Sequence, residues 1–518
     1  MTARALAVLG TGSDVGKSLI TAGICRILHR SGMRVAPFKA QNMSLNSFVT
    51  PEGGEIGRAQ ALQAEACGIV PHVDMNPILL KPESDNRSQV IVQGSVWSAQ
   101  EASTYYEQRP QLWSIVQDSY SRLASQYEVV MIEGAGSAAE MNLRERDLVN
   151  WPVVKLANAR VLLVADIDRG GVFAQVLGTL DLLEPDERAM VCGVVINKFR
   201  GDAKLFADGV TFLESHGGIP VLGVVPFLRD LMLDQEDSLD REACRQTEFS
   251  SERINIAVIL LPHMSNFTDF NVLAAEGDVA LQYVAAPTAL DGADIVIIPG
   301  SKTTQADLSF VLAQGYPPAL VQHVGRHREL VGICGGYQML GRSISDPYMV
   351  EQGGLSSGLG YLDIETELRK KKCTTQVEAN AAELLVQERS LVRGYQVHMG
   401  CTVRMQEHPC FSMQNGGTPM GGGHSPTATT HTDDGAIRDD GLVWGTYIHG
   451  VFDEPQFRRA WLNRARARKG LPPLEIHTSL SVTARLRGEL DRWTDHLSQF
   501  LDLSGLLSWL SPRRMISK

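Results

Sequence analysis

The sequence predicts an α/β protein of two consecutive domains, the first built on a doubly wound parallel sheet. Short apolar runs rich in Val, Ile and Leu alternate with helical patterns along most of the chain. An acidic, polar stretch at about residues 230–252 separates an early set of these runs from a later set. In each set one run leads directly into a glycine-rich turn and then a helix, at residues 6–29 and 330–340.

The early turn, residues 10–18, reads Gly-Thr-Gly-Ser-Asp-Val-Gly-Lys-Ser. Between a strand and a helix, such a loop presents backbone N–H groups to the phosphates of a nucleotide. Lys17 is expected to reach the β- and γ-phosphates, and Ser18 to bind Mg²⁺. Five residues rather than four separate Gly10 from Gly16, so a glycine turn with a solvated lysine is the alternative. The residues expected to contact ATP are Thr11, Gly12, Ser13, Asp14, Val15, Gly16, Lys17, Ser18 and, on the base, Asn197.

Polar side chains follow other strands of this domain, where ligands collect in open α/β sheets. The loop at residues 39–47 offers ammonium and amide groups that suit a carboxylate, although a solvated turn has the same composition. Glu133 ends the strand at 128–132 and is placed to hold Mg²⁺ directly or through water. Asp147 is a further candidate, with an exposed acid as its alternative. The residues expected to bind substrate are Lys39, Gln41, Asn42, Asn46 and Asp147.

The later turn, Gly-Ile-Cys-Gly-Gly at residues 332–336, places Cys334 between a strand and a helix. That is the geometry of a nucleophile elbow, and the helix N-terminus favours the thiolate. A buried structural cysteine is the alternative. His449, at the end of an apolar stretch, is the candidate base. A second histidine, His398, is interpreted as structural or as an interface residue.

The elbow resembles that of the class I glutamine amidotransferases. The resemblance implies that Cys334 attacks the amide of glutamine and releases ammonia. It also implies an oxyanion hole formed by backbone N–H groups near Gly300 and at Gly335. Many members of that class have His-Pro-Glu, whereas His449 is followed by Gly450 and Val451. Only a Cys–His dyad is therefore predicted.

The P-loop resembles that of dethiobiotin synthetase. Together with the stretches at 38–46, 133–137 and 142–144 and the Cys334 elbow, it resembles the cobyrinate and cobyric acid amidotransferase family of cobalamin biosynthesis. The resemblance implies amidation of the b, d, e and g carboxylates of adenosylcobyrinic acid a,c-diamide. It also implies that ATP, Mg²⁺ and glutamine are required and that acyl phosphates are the intermediates, and no prosthetic group is expected. Ammonia has to cross between the sites as NH₃, so a sheltered path is expected.

Three other interpretations stay open. The sibling a,c-diamide synthases have the same two modules, but the loop at 41–46 resembles the cobyric acid members. Partitioning or regulatory P-loop ATPases carry an extra lysine at the position of Gly12. A binding module with an inactive glutaminase is disfavoured by the presence of Cys334 and His449.

The predicted boundaries follow from these assignments. Residues 1–235 form the ATP-dependent synthetase domain and 236–252 a linker. Residues 253–460 form the glutaminase domain with a Gly-rich insertion at 406–440, and 461–518 form a helical C-terminal extension. An Arg-rich helix around 457–469 is interpreted as a solvated face or a packing arm.

Composition excludes several other classes of protein. The chain of 518 residues has a net charge of −11 and no long basic run, which disfavours nucleic acid as a partner. Its eight cysteines form no C-x-x-C pair, as expected in a reducing cytoplasm. No signal peptide is evident, and no apolar run approaches the ~18 residues of a membrane span. The expected partners are a small-molecule corrinoid, glutamine and ATP; the oligomeric state stays open.

Overall fold

The computed structural model describes residues 3–84, 87–101, 107–233, 248–387, 390–414, 433–475 and 481–510. Most of the predicted linker and the centre of the predicted Gly-rich insertion, including residues 416–423, lie outside the described residues. The predicted α/β class is confirmed, with one parallel and one mainly parallel six-stranded sheet that follow each other along the chain.

The first half carries a parallel sheet in the order β12-β11-β10-β1-β9-β2. Its strands are almost entirely buried because helices cover both faces, which explains their continuous apolar runs. The strands of this half are β1 (Arg4–Gly10), β2 (Val35–Phe38), β3 (Gln41–Met43), β4 (Ser47–Val49), β5 (Glu55–Gly57), β6 (Ile78–Ser84), β7 (Arg87–Val92), β8 (Ser95–Glu101), β9 (Val129–Glu133), β10 (Arg160–Asp166), β11 (Val191–Phe199) and β12 (Val221–Pro226).

Two smaller sheets extend this half beyond the predicted strands. One has the order β3-β6-β7-β8, and the other is the pair β4-β5. The helices of this half are α1 (Lys17–Arg30), α2 (Arg58–Ala66), α3 (Arg109–Gln126), α4 (Trp151–Ala157), α5 (Val172–Leu182), α6 (Pro185–Met190) and α7 (Ala207–Gly217), with 3-10 turns at Val73–Met75, Met141–Arg146 and Ala203–Phe206.

The second half has a mainly parallel sheet in the order β14-β13-β15-β16-β24-β23. A second sheet is dominated by the long antiparallel pair β19 and β20. The strands of this half are β13 (Ile254–Ile259), β14 (Val279–Val284), β15 (Ile295–Ile298), β16 (Glu329–Ile333), β17 (Ser343–Asp346), β18 (Gly354–Ser357), β19 (Ile364–Ala381), β20 (Leu391–Arg404), β21 (Phe411–Met413), β22 (Asp433–Asp434), β23 (Ala436–Ile437) and β24 (Val443–Thr446).

The helices of the second half complete its layers. They are α8 (Asn271–Ala274), α9 (Thr304–Ala313), α10 (Tyr316–Gly325), α11 (Gly335–Met339), α12 (Pro455–Lys469), α13 (Val482–Phe500) and α14 (Leu503–Leu510), with 3-10 turns at Phe267–Phe270 and Pro287–Leu290. The predicted boundary at 460/461 falls within α12. Within the described ranges, no helix combines the length and the apolar character needed to cross a membrane.

The last helices return to the first half of the chain. Trp493 on α13 donates from its indole nitrogen to the carbonyl of Leu19, and His496 contacts the carbonyl of Pro226. Arg26 on α1 forms an ion pair with Asp491. The C-terminal segment therefore packs as a part of the synthetase half, against the helix that follows the P-loop.

Candidate active site

The elbow adopts the sharp turn that its glycines predict. Cys334 lies between β16 and α11 with φ of 51° and ψ of −107°, a strained conformation for a residue with a side chain. A Cβ on Gly336 would lie 2.0 Å from the carbonyl oxygen of Ile298, and one on Gly332 would lie 2.7 Å from Gly336. Only glycine fits at these positions, because backbone crosses backbone there.

His449 lies beside Cys334 and is oriented by an acid that sequence reasoning missed. Its Nδ1 is 2.7 Å from Asp269 Oδ2, and Asp269 Oδ1 accepts a hydrogen bond from the N–H of Gly450 at 3.0 Å. Burial would lower the pKa of His449, but the Asp269 carboxylate and the Cys334 sulfur outweigh it and raise this pKa to about 10. The arrangement is a Cys–His–Asp triad in geometry.

Asp269 is far from the acids that follow His449 in the sequence. It lies in the 3-10 turn after β13, 180 residues before the histidine that it contacts. One general rule could have led to Asp269 from the sequence: ligands and catalytic groups collect in the loops that follow parallel strands. The loop after β13 carries both Asn266 and Asp269, each almost fully buried.

Gly300 and Gly335, the glycines predicted for the oxyanion hole, lie next to His449 and Cys334, respectively. A Cβ on Gly300 would be 3.2 Å from Cε1 of His449, and one on Gly335 would be 2.9 Å from the backbone nitrogen of Ser301. The two glycines thus flank the space next to Cys334. Their roles as N–H donors to an oxyanion stay a prediction.

The other histidine of this domain has a separate environment. His398 Nδ1 is 2.8 Å from the carbonyl of Gly400, and its ring stacks on Tyr447 with 3.7 Å between centroids. These contacts are those of a packed residue on β20, in line with the structural role predicted for it.

The P-loop leads from β1 into α1, as the sequence indicates. Lys17 is buried, and its ammonium donates to the carbonyls of Gly12 and Gly136 at 2.8 and 2.9 Å. Gly16 has φ of 97°, and a Cβ there would lie 2.2 Å from Asn197 Nδ2. Asn197 donates to the carbonyl of Val15 at 2.9 Å, so it supports the loop. Its contact with adenine stays a prediction.

Glu133 lies at the centre of a buried polar cluster at the end of β9. Ser18 Oγ and Lys39 Nζ both donate to its Oε1, at 2.7 and 3.0 Å, while Gln60 and Gln63 donate to Oε2. Burial would raise the pKa of Glu133, but the Lys39 charge and the donors on Gln63 and Ser18 outweigh it and lower this pKa. The carboxylate is therefore ionised and held in place.

This cluster suits Mg²⁺ in its choice of ligands. Magnesium takes oxygen ligands and keeps several waters and phosphate oxygens, so one or two protein groups suffice. In the described part of the chain, no three His, Cys, Asp or Glu side chains form a metal cage. Ser18 and Glu133 would hold the ion next to the phosphates, as the sequence predicts.

The predicted substrate loop contacts the Glu133 cluster. Asn42 is buried and donates from Nδ2 to Gln60 Oε1 at 3.0 Å, while Gln41 is partly exposed on β3. Asn46 is buried, and its N–H donates to Ser44 Oγ. Lys39 and Asn42 thus lie at the Glu133 cluster, and the contacts of Lys39, Gln41, Asn42 and Asn46 with substrate stay a prediction.

Asp147 has a structural role in addition to the predicted one. Its carboxylate accepts hydrogen bonds from the N–H groups of Val149, Asn150 and Trp151, at 2.8 to 3.0 Å. It therefore satisfies free backbone donors at the start of α4. A contact between Asp147 and substrate stays a prediction, and it would have to coexist with these hydrogen bonds.

The two halves of the chain are joined by buried ion pairs. Glu55 on β5 contacts Lys81 of its own half and Lys372 of β19. Lys302 of the second half contacts Glu83 of the first at 2.7 Å. All five side chains are largely shielded from solvent. Removing one partner would leave a buried charge unpaired, so the interface depends on both halves.

A cavity of about 1880 Å³ opens between the β4–α2 region, the β19–β20 pair and the start of α13. Seven basic and six acidic residues line it, and Tyr337 and Tyr447 near Cys334 also contribute to it. The basic residues of the lining are Arg58, Arg369, Lys370, Lys371, Lys372, Arg393 and Arg404.

Comparison with known proteins identifies the family of each half of the chain. The chain matches the model of the CobQ/CobB/MinD/ParA nucleotide binding domain over residues 6–239. It matches the model of the CobB/CobQ-like glutamine amidotransferase domain over residues 255–457. These matches define the class as a glutamine amidotransferase joined to a nucleotide-binding domain.

Proteins that are similar over nearly the whole chain identify the family within this class. The cobyric acid synthase of Syntrophobacter fumaroxidans is 47% identical over 510 residues, which cover 97% of each chain. That of Klebsiella pneumoniae (strain 342) is 48% identical over 503 residues, 96% of each chain. The chain belongs to the cobyric acid synthase family. A solved glutamine amidotransferase covers 42% of this chain at 16% identity, with a TM-score of 0.29 that supports no further conclusion.

Proposed function

We propose that this enzyme uses ATP and glutamine to amidate carboxylates of a corrinoid in cobalamin biosynthesis. The observation that carries the proposal is that one chain contains two separate sites. The first half has the P-loop residues Lys17 and Ser18 beside Glu133, and the second half has Cys334, His449 and Asp269. Family membership supplies the substrate class, since the relatives are cobyric acid synthases.

The synthetase half activates the carboxylate. A carboxylate is a poor electrophile, and transfer of the γ-phosphoryl group of ATP to it gives an acyl phosphate with a good leaving group. Lys17 and the N–H groups of the P-loop stabilise the charge on the transferring phosphoryl group. Mg²⁺, held by Ser18 and Glu133, would neutralise part of the same charge. Lys39, which pairs with Glu133, would orient the substrate carboxylate.

The glutaminase half supplies the nitrogen. Cys334 Sγ attacks the amide carbonyl of glutamine while His449 takes the thiol proton. His449 then gives that proton to the leaving nitrogen. Ammonia leaves, and a γ-glutamyl thioester forms on Cys334. Water attacks the thioester with His449 as base, so that glutamate leaves and the thiol is restored. Asp269 keeps the imidazole oriented throughout.

Ammonia then attacks the acyl phosphate, the new C–N bond displaces phosphate, and the extra proton passes to solvent or phosphate. At neutral pH free ammonia in water is mostly NH₄⁺, which has no lone pair for the attack. The contact between β4 and β20 brings the two halves together next to Cys334. A sheltered path for NH₃ along this contact follows from the proposal.

The substrate is proposed to be adenosylcobyrinic acid a,c-diamide, amidated at its b, d, e and g carboxylates. Arg369, Lys370 and Lys371, at consecutive positions of β19, line the 1880 Å³ cavity and suit the carboxylates of a bulky substrate. Reversing one charge there, as in Lys370→Glu, should weaken corrinoid binding, measured by titration of its absorbance, while ATP binding is retained. Equal binding by the variant would exclude this cavity as the corrinoid site.

We place the enzyme in the cytoplasm, because the described cysteines are free thiols.

The two-site reaction is tested by separating its nitrogen sources. Cys334→Ala should lose amidation with glutamine but keep amidation with concentrated ammonium at raised pH, where the NH₃ fraction is larger. The assay is corrinoid amide formation at matched ATP with each nitrogen source. If folded Cys334→Ala still uses glutamine well, or cannot use ammonium, the proposed division of labour is wrong.

A further inference from the structure

The imidazole of His449 is contacted by two side chains that both reach the synthetase half. Asn266 Nδ2 is 3.4 Å from His449 Nε2, and Asn266 Oδ1 accepts a hydrogen bond from the N–H of Ser47 at 3.0 Å. Tyr395 stacks on the imidazole with 5.3 Å between centroids, and its hydroxyl donates to the carbonyl of Ser47 at 3.2 Å. The backbone N–H of Ser47 therefore binds Asn266, and its carbonyl binds Tyr395, the two side chains that contact His449.

Elementary hydrogen-bond chemistry fixes the orientation of the Asn266 amide. The N–H of Ser47 can only donate, so the atom that faces it has to be the amide oxygen. The NH₂ group of Asn266 then faces His449. In the neutral imidazole, Nδ1 carries the hydrogen that Asp269 accepts, and Nε2 is then the acceptor for Asn266. The contact thus favours the neutral imidazole.

The same contact opposes the charged form of the base. Once Nε2 takes the proton of Cys334, an N–H of His449 and an N–H of Asn266 face each other. The charged groups around the ring, Asp269 and Cys334, favour the imidazolium. The Asn266 amide opposes protonation of His449 for as long as Ser47 fixes the orientation of the amide. Ser47 begins β4 directly after the predicted substrate loop.

We propose that Asn266 is a positioning residue that restrains the glutaminase until the loop at residues 39–47 shifts on binding of ATP and the carboxylate substrate. Released from Ser47, the amide turns and presents its oxygen to the protonated Nε2, which stabilises the imidazolium. Glutamine hydrolysis is then linked to the presence of an acceptor. The inference rests on the proposed function and names the regulation of the same site.

Two substitutions of Asn266 test the restraint, with glutamate release from glutamine as the assay. Asn266→Asp keeps an acceptor for Ser47 and places a second oxygen at Nε2. Asn266→Gly removes both contacts and tolerates the φ of 52° at this position. Both should raise the basal kcat at least about tenfold, the effect of one hydrogen bond to a charged group. The KM for glutamine should not change, and stimulation by ATP with corrinoid should shrink by the same factor.

Gln376→Ala is the matched control. Gln376 donates across the same interface to the carbonyl of Val49 at 2.9 Å, so its loss loosens β4 elsewhere along the strand. Its basal rate of glutamate release without ATP and corrinoid should equal that of the wild type. The inference is overturned if both Asn266 variants lower the basal rate, or if Gln376→Ala raises it equally. Amidation with ammonium is measured in parallel: its absence in the wild type would refute the proposed function, while glutamate release would still report on Asn266.

Discussion

Replacing Asp269 by Asn is the sharpest test of the glutaminase geometry. The carboxylate contacts His449 Nδ1 through one oxygen and the N–H of Gly450 through the other. In Asp269→Asn, the N–H of Gly450 selects the amide oxygen, so the NH₂ group faces Nδ1. The imidazole then has to carry its hydrogen on Nε2. That tautomer has no lone pair for the proton of Cys334.

The magnitude follows from the environment of His449. Asp269 and Cys334 together raise the pKa of His449 from 6.5 to about 10 against the effect of burial. At about 1.4 kcal/mol per pKa unit, this net rise, with the opposing effect of burial included, corresponds to about 5 kcal/mol. If Asp269 contributes about 2 kcal/mol of it, its loss lowers the proton affinity of the imidazole about 30-fold. Because the tautomer changes as well, we expect glutamine-dependent turnover to fall about 10²–10⁴-fold.

The assay compares glutamine with ammonium as the nitrogen source. Asp269→Asn should keep ammonium-dependent amidation, because the P-loop half is untouched. Asp453→Asn, which changes an acid close to His449 in sequence, is the control and should resemble the wild type. Turnover with glutamine within about threefold of the wild type would refute the role of Asp269 in holding the tautomer.

The same pKa predicts how stability depends on pH. The folded-state pKa of His449 lies above its value in an unfolded chain, so the protonated histidine stabilises the fold. This contribution is complete below pH about 6.5 and is lost as the pH rises through about 10. The difference in Tm between wild type and Asp269→Asn should therefore be larger at pH 6 than at pH 10. An equal difference at both values would contradict the assignment.

Three further substitutions separate the two halves. Lys17→Ala should abolish amidation with either nitrogen source, and near-normal turnover with ammonium would remove the P-loop from the reaction. Glu133→Gln should raise the Mg²⁺ requirement for ATP use and lower the Tm, because it leaves the charge of Lys39 buried without a partner; an unchanged response to Mg²⁺ would exclude Glu133 as a ligand. His398→Ala should keep most glutaminase activity, measured as glutamate release, and a loss as large as that of His449→Ala would make it a second base.

Local patterns were sufficient to predict both turns that carry the chemistry. A strand, a glycine-rich turn and a helix are contiguous, so the P-loop at 10–18 and the elbow at 332–336 could be recognised from sequence alone. The same holds for Glu133 and Lys39, since each follows a buried strand directly. Gly336 was also identifiable, because a nucleophile elbow leaves no room for a side chain there.

Contacts between distant segments could not be predicted in this way. Asp269 reaches His449 only after β13 and β24 have taken their places in the sheet. The pair β19–β20 also lacks a clear alternating pattern. Its central residues face the other half of the chain, where Lys372 pairs with Glu55, instead of an apolar core.

The Arg-rich helix shows the same limitation. Its arginines suggested a solvated face or a packing arm, and the structure supports the second interpretation. Arg459 and Arg466 are buried on α12, where both form ion pairs with Asp278. Arg464 and Arg468 pair with the buried Glu329. Charge alone could not distinguish these roles, because the acidic partners lie far away in the sequence.

The most direct test of the proposed activity is mass spectrometry of the corrinoid after reaction with ATP, Mg²⁺ and glutamine labelled with ¹⁵N in its amide. Adenosylcobyrinic acid a,c-diamide should be converted to a product in which four carboxylates have become amides, each carrying the label. Cys334→Ala should give this product only with labelled ammonium. An unchanged corrinoid, a different number of new amides, or amides without label from glutamine would contradict the account.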